Sequence, residues 1–509
     1  MELSKNYAQE RQRIYEEDGR KYPAKALVEM ELRPGYDRTK RHLLAHIKSI
    51  NEAHLVMLCE QGILTREDSA TIMRAIEEID YDAYAQSEYD GCFEDLYFKM
   101  EDEIIRKTHG VGGNLHLARS RNDMCVAWSH MAIRESQLKL IEALIRLRNT
   151  VYLFAQEHKD TIYAVHTHTQ HAQPGVFGHY FLGVFDVIGR DIERMQSAYA
   201  NINRSPMGAA AITTSGFPIS RERVAELAGF DGVIENSYDA IGNADYFTQT
   251  AAAIALCALN LGRVVTDMVL WATEEMKMIR VADGYISISS IMPQKRNPIA
   301  LEHLRSSLSV TKGYADAVLT GFLKSPYGDI SDYEDIEDVI EKAFELMKQN
   351  VGMLNSVLGT LDVNRELLEE RVHESFSVVT EIADQIYRCY HIPFREAHGF
   401  VSFLVKRANA QGFNLKNVNR EFFSAAFEEY FKRPFEHDFA PILLSIDPEH
   451  FVKIRDAVGG TGPNAMRNML AHAQEKLSRD CEWLSARRAA LAEADRKRSA
   501  CVEALIAAK

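Results

Sequence analysis

The sequence predicts an all-α protein built around a bundle of very long helices. Residues 114–366 carry an almost unbroken helical pattern, and several of its segments exceed about 25 residues, roughly twice the usual helix length. We expect long helices near residues 124–158, 175–203, 244–278, 297–323 and 333–361. Residues 251–270 are apolar on nearly every side, and one chain can hardly enclose them. This pattern predicts a homo-oligomer in which other copies cover the remaining sides.

Shorter helical segments flank this bundle on both sides. Residues 1–113 form an N-terminal mixed helical domain in which residues 36–61 have a wide apolar stripe and Thr65 is placed to cap a second helix. A glycine cluster ends this domain and begins the central domain, 114–366. Residues 367–509 form a C-terminal small helical domain with an extended charged tail, which we expect to pack or to face solvent.

Composition excludes several functional classes. A hydrophobic fraction of 46% with 26% charged residues is ordinary for a globular protein, and a net charge of −14 argues against general affinity for nucleic acid. The sequence contains no apolar run of about 18 residues, so we expect no membrane span. The first residues lack the apolar core of a signal peptide. The seven cysteines are scattered singly, which is typical of reduced thiols in the cytoplasm.

Residues 287–302, S-I-S-S-I-M-P-Q-K-R-N-P-I-A-L-E, combine a loop with the start of a helix. Two prolines prevent one continuous helix, and the second is tolerated in the first turn of the helix that follows. The loop carries side chains suited to catalysis, namely Ser289, Ser290, Lys295 and Asn297. Such residues also crowd ordinary loops, so composition alone leaves a structural reading open.

Two other stretches carry polar groups that could act on a substrate. Residues 115–123, L-H-L-A-R-S-R-N-D, include Arg119, Arg121 and Asn122, which are suited to holding a carboxylate; the alternative is a capped helix start. Residues 166–174, H-T-H-T-Q-H-A-Q-P, have the H-x-H spacing of a strand. They lack the nearby carboxylate of a metal site, so a histidine acid or base, or a structural histidine, is the better interpretation.

Together these stretches resemble the argininosuccinate lyase family of the fumarase/aspartase superfamily. The loop matches the signature G-S-S-x-M-P-x-K-x-N, with Ile288 in place of the glycine. Five more family motifs occur in the family order: L-H-x-G-R-S-R-N-D-Q at residues 115–124, T-H-x-Q-x-A-Q-P at 167–174, E-N-S-x-D-A at 235–240, P-F-R-E-A-H at 393–398 and G-G-T at 459–461. The first of these has Ala118 for the glycine and Met124 for the glutamine.

The resemblance implies a fold, an assembly and a reaction. The family has three mostly helical domains, and its central domains form a twenty-helix core in a homotetramer whose active sites take motifs from three subunits. The family reaction splits the C–N bond of an N-substituted aspartate, for example argininosuccinate to arginine and fumarate in arginine biosynthesis. It requires no metal or organic cofactor.

The resemblance also implies a role for each motif residue. Ser289 resembles the base that removes the proton beside a carboxylate, and Lys295 stabilises the resulting charge. A free serine is a very weak acid, so the loop must stabilise its alkoxide. His168 resembles the histidine near the leaving nitrogen, and Glu302 the carboxylate that orients it. The residues expected to bind the substrate are Ser120, Arg121, Asn122, Thr167, Gln170, Ser290, Met292, Asn297 and Tyr327.

Departures from the family concentrate in the part that holds the amine. The early W-G-G-R-F motif is missing, and E-D-x-H becomes Glu94-Asp95-Leu96-Tyr97. In the segment after Tyr327, Asp332 and Asp335 replace a glutamine and a lysine. A lyase for another N-succinyl amine or for an aminopolycarboxylate such as ethylenediamine-disuccinate is therefore an alternative. A crystallin-like structural protein is the non-enzyme alternative, which the retained motif residues disfavour.

Overall fold

The computed structural model of the chain describes residues 6–507; residues 1–5 and 508–509 of the predicted terminal domains lie outside it. The N-terminal helices are α1 (Tyr7–Glu17), α2 (Lys25–Leu27), α3 (Arg33–Arg38), α4 (Leu44–Glu60), α5 (Arg66–Glu77), α6 (Tyr81–Gln86) and α7 (Leu96–Lys107). The helix predicted over 36–61 is interrupted, because Thr39–Leu43 form a wider π-helical turn before α4. Thr65 caps α5 as predicted, and its side chain accepts a hydrogen bond from the Asp68 backbone N–H.

The predicted long helices are all present in the central region. Its helices are α8 (Arg121–Glu157), α9 (Phe177–Ile202), α10 (Arg221–Leu227), α11 (Ser237–Gly242), α12 (Asp245–Trp271), α13 (Ile299–Gly321) and α14 (Asp332–Gly359). Helix α8 starts three residues earlier than predicted, because Ser120 and Asp123 form a capping box. Helix α12 ends seven residues early, because the chain turns back and the Met278 N–H donates to the Trp271 carbonyl.

The C-terminal part consists of shorter helices and one very long helix. These are α15 (Arg365–Glu374), α16 (Val379–Tyr390), α17 (Phe394–Ala410), α18 (Arg420–Phe431), α19 (Ala440–Ser445), α20 (Pro448–Lys453) and α21 (Pro463–Ile506). The predicted charged tail is thus a single helix of 44 residues. It runs back along the bundle, where Leu484 joins the central core and Val502 joins the N-terminal core.

Strands contribute little, which confirms the all-α prediction. They are β1 (Ile162–Thr167), β2 (Gln170–Val176), β3 (Ile279–Arg280), β4 (Ser287–Ile288), β5 (Arg296–Asn297) and β6 (Asp362–Val363). Each pairs antiparallel in a two-stranded sheet: β1 with β2, β3 with β6 and β4 with β5. The H-x-H stretch lies on β1 and its turn, as its spacing predicts.

Apolar side chains form separate cores, and helix α12 lies in the largest of them. Within residues 6–507, α12 is the one helix with the length and apolar composition to cross a membrane; in this fold it packs between α9 and α13. Its other side is uncovered by this chain: Leu256, Leu259 and Leu270 are 46%, 46% and 44% exposed.

The bundle has two ends, which gather different motifs. Helices α8, α9, α12, α13 and α14 run alternately up and down. Trp271 at the end of α12 therefore packs on Phe177 at the start of α9, with ring centroids 5.2 Å apart. We call this the hairpin end; it holds β1–β2 and residues 286–298. The opposite end, here the arginine end, holds Ser120–Asn122, the loop after α9, and Tyr327. Helix α8, with 37 residues, separates the ends by about 55 Å.

Candidate active site

At the arginine end, the start of α8 presents three of the predicted binding residues. Ser120 caps the helix. The Arg121 guanidinium forms ion pairs with Glu94 at 2.8 Å and Asp95 at 2.7 Å. Asn122 donates its side-chain amide to the Ala211 carbonyl at 3.2 Å. These groups are therefore already held in place before any ligand binds.

Tyr327 is at the same end and is held by aromatic and polar contacts. Its hydroxyl donates to the Asp239 carboxylate at 2.7 Å, and its ring stacks on Tyr238 with centroids 5.5 Å apart. The hydrogen bond to Asp239 raises the pKa of Tyr327 to about 12, so the phenol keeps its proton near neutral pH. Tyr238 belongs to the segment that matches E-N-S-x-D-A, so two distant motifs meet here.

The two aspartates that depart from the family pattern lie on the first turn of α14. Asp332 is half-buried and accepts a hydrogen bond from the Ser325 hydroxyl at 2.7 Å. Asp335 is exposed to solvent. Both add negative charge to the first turn of α14, where it is favourable.

At the hairpin end, β1 and β2 present the predicted histidine and its neighbours. Thr167 pairs with Gln170, and His168 and Thr169 form the two-residue turn between them. The side chains of all four residues are exposed. Both turn residues have left-handed backbones, with φ of 51° at His168 and 61° at Thr169. The tip therefore projects the predicted acid away from the core.

The signature loop is closed at its base and holds Ser289 in a polar setting. Ser287 pairs with Asn297 and Ile288 with Arg296, so residues 289–295 form a closed loop. The Ser289 Oγ accepts hydrogen bonds from the backbone N–H groups of Ile291 at 3.3 Å and Met292 at 3.1 Å. Two N–H groups aimed at one oxygen favour its negatively charged form.

Ile288 replaces the signature glycine without backbone strain. It lies in the extended strand β4, and its side chain is 79% exposed. A glycine-only conformation is not needed at this position, so the isoleucine adds an apolar surface at the base of the loop.

The other predicted residues of the hairpin end point to solvent or to their own loop. Ser290, Met292 and Lys295 are exposed, and Asn297 donates to the Ser287 hydroxyl at 3.3 Å. Glu302 is exposed in the first turn of α13. Within residues 6–507, no hydrogen bond joins Glu302 or the signature loop to the β1–β2 hairpin. The expected contact between Glu302 and His168 is thus not made inside one chain.

Comparison with known proteins decides the family. A lyase family model matches residues 38–313, and a family model for the argininosuccinate lyase C-terminal region matches residues 376–453. Argininosuccinate lyase 2 of Agrobacterium fabrum is 37% identical over 463 residues, which is 90% of this chain and 92% of the relative. The chain belongs to the argininosuccinate lyase family. It is a carbon–nitrogen lyase of the fumarase/aspartase superfamily, as its motifs predicted.

Further members and solved structures agree with this assignment. Argininosuccinate lyase of Methanocaldococcus jannaschii is 34% identical, covering 84% of this chain and 87% of its own. A crystal structure of EDDS lyase in complex with formate has a TM-score of 0.83 at 29% identity, covering 94% of this chain and 96% of that one. A class II fumarase from Schistosoma mansoni, at 16% identity and a TM-score of 0.64 over 82% of this chain and 90% of its own, shares the fold.

In the present chain, a cavity of about 370 Å³ opens beside Arg121. Carboxylates outnumber guanidinium groups on its walls: Glu31, Glu94, Asp95, Glu334 and Glu337 face Arg38 and Arg121. Burial and a hydrogen bond to Glu334 raise the pKa of Glu31 to about 7. The surroundings of Arg121 are therefore acidic as well as preformed.

Asp123 organises the arginine end of the bundle, whereas the sequence indicated only a capped helix start as an alternative for residues 115–123. It is fully buried and accepts backbone N–H groups from Ser120, Gly208 and Ala210 at 2.9, 2.9 and 3.0 Å. Burial raises its pKa to about 6 in spite of these bonds. Asp123 thereby ties the loop after α9, residues 203–220, to the start of α8. The sequence signal for this role is the aspartate of the S-R-N-D stretch at residues 120–123.

The histidines of the H-x-H stretch do not form a metal-binding group with the described residues. His166 and His171 face each other across the hairpin with ring centroids 5.0 Å apart. In residues 6–507, the side chains spaced to hold a metal ion are Glu369, His373 and Glu449, between α15 and α20. None of these belongs to a family motif that the lyase reaction uses.

Proposed function

We propose that this lyase releases fumarate from an N-substituted aspartate, with Ser289 as the base and His168 as the acid. The observation that carries the proposal is the pair of backbone N–H groups on the Ser289 Oγ. They lower the cost of forming the alkoxide, which a free serine could not form near neutral pH. The alkoxide removes the proton from the carbon beside the carboxylate.

The remaining motif residues then stabilise charge and release the amine. The electron pair left on carbon spreads into the neighbouring carboxylate, where Lys295 and Asn297 supply a cation and an amide donor. When the C–N bond breaks, His168 gives a proton to the nitrogen and the electron pair forms the double bond of fumarate. Glu302 orients His168. Ser120, Arg121, Asn122, Thr167, Gln170, Ser290, Met292 and Tyr327 hold the substrate. No metal or organic cofactor enters these steps.

We propose that complete sites form between copies in a homotetramer. Ser120, Arg121, Asn122 and Tyr327 lie about 55 Å from the reacting residues, at the opposite end of α8, so one chain cannot bring both groups to one substrate. An antiparallel neighbour can place its hairpin end against the arginine end of this chain. The exposed leucines of α12 supply an apolar surface for that packing. A core of twenty helices, five from each chain, follows from the resemblance.

The amine half of the substrate is the part in which this enzyme departs from the family. We propose argininosuccinate, with release of arginine, as the first candidate. The second is another N-succinyl amine or an aminopolycarboxylate such as ethylenediamine-disuccinate, which the likeness to EDDS lyase supports. The carboxylates that line the cavity beside Arg121 favour an amine that carries positive charge.

The domain division and the location of the protein stay proposals. We divide the chain at residues 113 and 366, and separate apolar cores in the central bundle and around α16–α18 support the second boundary. We place the enzyme in the cytoplasm, which is supported by seven unpaired cysteines.

A panel of N-succinyl amines tests the proposed reaction and substrate together. Fumarate release is followed by ultraviolet absorbance with argininosuccinate, ethylenediamine-disuccinate and neutral N-succinyl amines at equal concentration. We expect fumarate from at least one cationic amine, and loss of that activity in Ser289→Ala. Release of fumarate at the same rate by Ser289→Ala would refute the role of the serine.

A further inference from the structure

The tip of the β1–β2 hairpin is held in a strained conformation. His168 and Thr169 both have left-handed backbones, which favour glycine or asparagine in a two-residue turn. Threonine is β-branched and is especially disfavoured there. Strained backbones persist only where the surrounding structure fixes them. Contacts from outside the β1–β2 pairing must therefore hold the hairpin in this conformation.

Helices of the C-terminal part supply contacts to both strands. Helix α15 packs on β1 and α20 packs on β2. One polar bond crosses directly, because the Gln173 side-chain amide on β2 donates to the Thr380 hydroxyl on α16 at 3.1 Å. Helix α16 therefore fixes the hairpin between its tip and its base.

Glu381, next to Thr380, is a buried charge with two cationic partners. Its side chain is fully inaccessible to solvent, and its carboxylate pairs with Arg388 at 2.6 Å and Arg455 at 2.7 Å. A buried carboxylate with such partners keeps a defined geometry, because separating them would leave an unpaired charge. The Arg455 guanidinium also lies over the Phe451 ring of α20, 3.8 Å from its centroid.

Arg455 in turn organises the loop that contains the G-G-T motif. Its carbonyl accepts the Gly462 N–H at 2.9 Å, and a Cβ added at Gly460 would lie 2.0 Å from that oxygen. The loop is thus wrapped tightly around Arg455. The same loop also approaches the hairpin: a Cβ added at Gly175 of β2 would lie 3.6 Å from the Thr461 methyl group.

These contacts form a closed ring from β2 through α16 and Arg455 and back to β2. We infer that Glu381 is a positioning residue that holds the hairpin tip, and with it Thr167 and His168, in the geometry required for proton transfer to the leaving nitrogen. This inference rests on the role proposed for His168. Glu381 itself touches neither substrate nor reacting atoms.

The test replaces the buried charge and asks whether it acts through His168. Glu381→Gln should lower kcat by about 10- to 100-fold, with the larger loss for poorly leaving amines, and change KM by less than about threefold. In the double variant Glu381→Gln with His168→Asn, the rate should equal that of His168→Asn alone, because a mispositioned histidine and an absent one have the same effect. If the rate losses of the two single variants multiply in the double variant, the inference is overturned.

A matched control separates positioning from stability. Asp480 of α21 is also a nearly buried carboxylate paired with an arginine, Arg148, but it lies within the bundle. Asp480→Asn should leave kcat within about threefold of the parent and leave amide hydrogen exchange in residues 162–176 unchanged, whereas Glu381→Gln should speed that exchange. An equal loss of kcat in both variants, or unchanged exchange in Glu381→Gln, would refute the assignment.

A gentler variant keeps the test decisive if Glu381→Gln fails to fold. Thr380→Val removes only the bond to Gln173 and should lower kcat by about three- to tenfold with the same leaving-group dependence. An unchanged kcat would refute the role of the Gln173–Thr380 hydrogen bond in fixing the hairpin. If His168→Asn is as fast as the parent, the proposed role of His168 fails, and the exchange measurement still decides whether Glu381 fixes the hairpin.

Discussion

The arginine end and the hairpin end of the bundle differ in how their polar side chains are satisfied. At the arginine end, Arg121 is paired with two carboxylates, Tyr327 is bound to Asp239, and Asp123 accepts three backbone N–H groups. At the hairpin end, His168 and Lys295 are exposed. The proposed binding groups at the arginine end are already held by partners within the chain, whereas the proposed reactive groups at the hairpin end are exposed to solvent.

This difference agrees with the proposed distribution of the active site over copies of one chain. Charged groups that only position a substrate can be fixed within the subunit, where their ion pairs form on folding. Groups that transfer protons work best in a site from which water is excluded. In the proposed assembly, the hairpin end acquires such a site when another copy covers it. The comparison predicts a different response of each end to substitution.

Substitution of the proposed base at the hairpin end should have the largest effect. Ser289→Ala should lower kcat by about 1,000-fold or more, because no other group holds an ionisable oxygen between two backbone N–H groups in this loop. The assembly and the helical signal should be unchanged, since Ser289 lies outside the core. Steady-state rates with circular dichroism and light scattering check this. Activity within a few fold of the parent would remove Ser289 from the role.

Loss of the proposed acid should be smaller and depend on the substrate. His168→Asn should slow release of poorly leaving amines by about 100-fold, because these amines need a proton as the C–N bond breaks. Amines that leave easily should be affected less. The measurement is kcat across amines of graded basicity. A uniform loss across the series would contradict a proton-transfer role.

One response to acid should be common to both ends, because a buried histidine lies near each of them. His130, near the arginine end, and His158, at the hairpin end, are buried, and burial lowers the pKa of each to about 4. As pH falls below 6.5 the unfolded chain takes up the proton first. Each histidine therefore costs about 2 kcal/mol of stability at pH 5, a cost absent at pH 8.

Replacing either histidine tests its contribution to the loss of stability in acid. His130→Gln and His158→Gln should each reduce the loss of unfolding free energy between pH 8 and pH 5 by about 2 kcal/mol. Denaturant unfolding at both pH values gives the comparison, and the variants' lower stability at pH 8 cancels in the difference. A loss equal to that of the parent would show that these histidines titrate normally.

The smallest expected effect concerns the arginine end and its choice of amine. Asp332→Gln with Asp335→Lys restores the family residues in the segment after Tyr327. The ratio of kcat/KM for argininosuccinate to that for ethylenediamine-disuccinate should rise about tenfold, because the restored glutamine and lysine would hold the arginine portion as they do in the family. An unchanged ratio would place both aspartates outside the substrate site and favour argininosuccinate as the natural substrate.

The elements were predictable because their signals are local. Long apolar patterns marked the five bundle helices, and H-x-H marked β1. The helix ends were missed where a side chain or a turn decided them. Ser120 and Asp123 began α8 three residues early, and the turn closed by Met278 ended α12 seven residues early.

The arrangement of the site was less predictable, because its contacts join residues far apart in the chain. Nothing near Arg121 indicates that Glu94 and Asp95 will neutralise it, or that Asp123 will hold the loop at Gly208. The family motifs named the residues, but they did not show that a helix of 37 residues separates them into two groups. That separation follows from the fold alone.

Complementation between two inactive variants tests most directly whether one site takes its two halves from different copies. Ser289→Ala disables the hairpin end and Asn122→Ala the arginine end. The two pure variants are dissociated, mixed in equal amounts and reassembled, with each variant reassembled alone as the control. If complete sites combine opposite ends of different copies, the mixture should regain about a quarter of the parental activity. A mixture no more active than the pure variants would show that each site lies within one copy and would contradict the account.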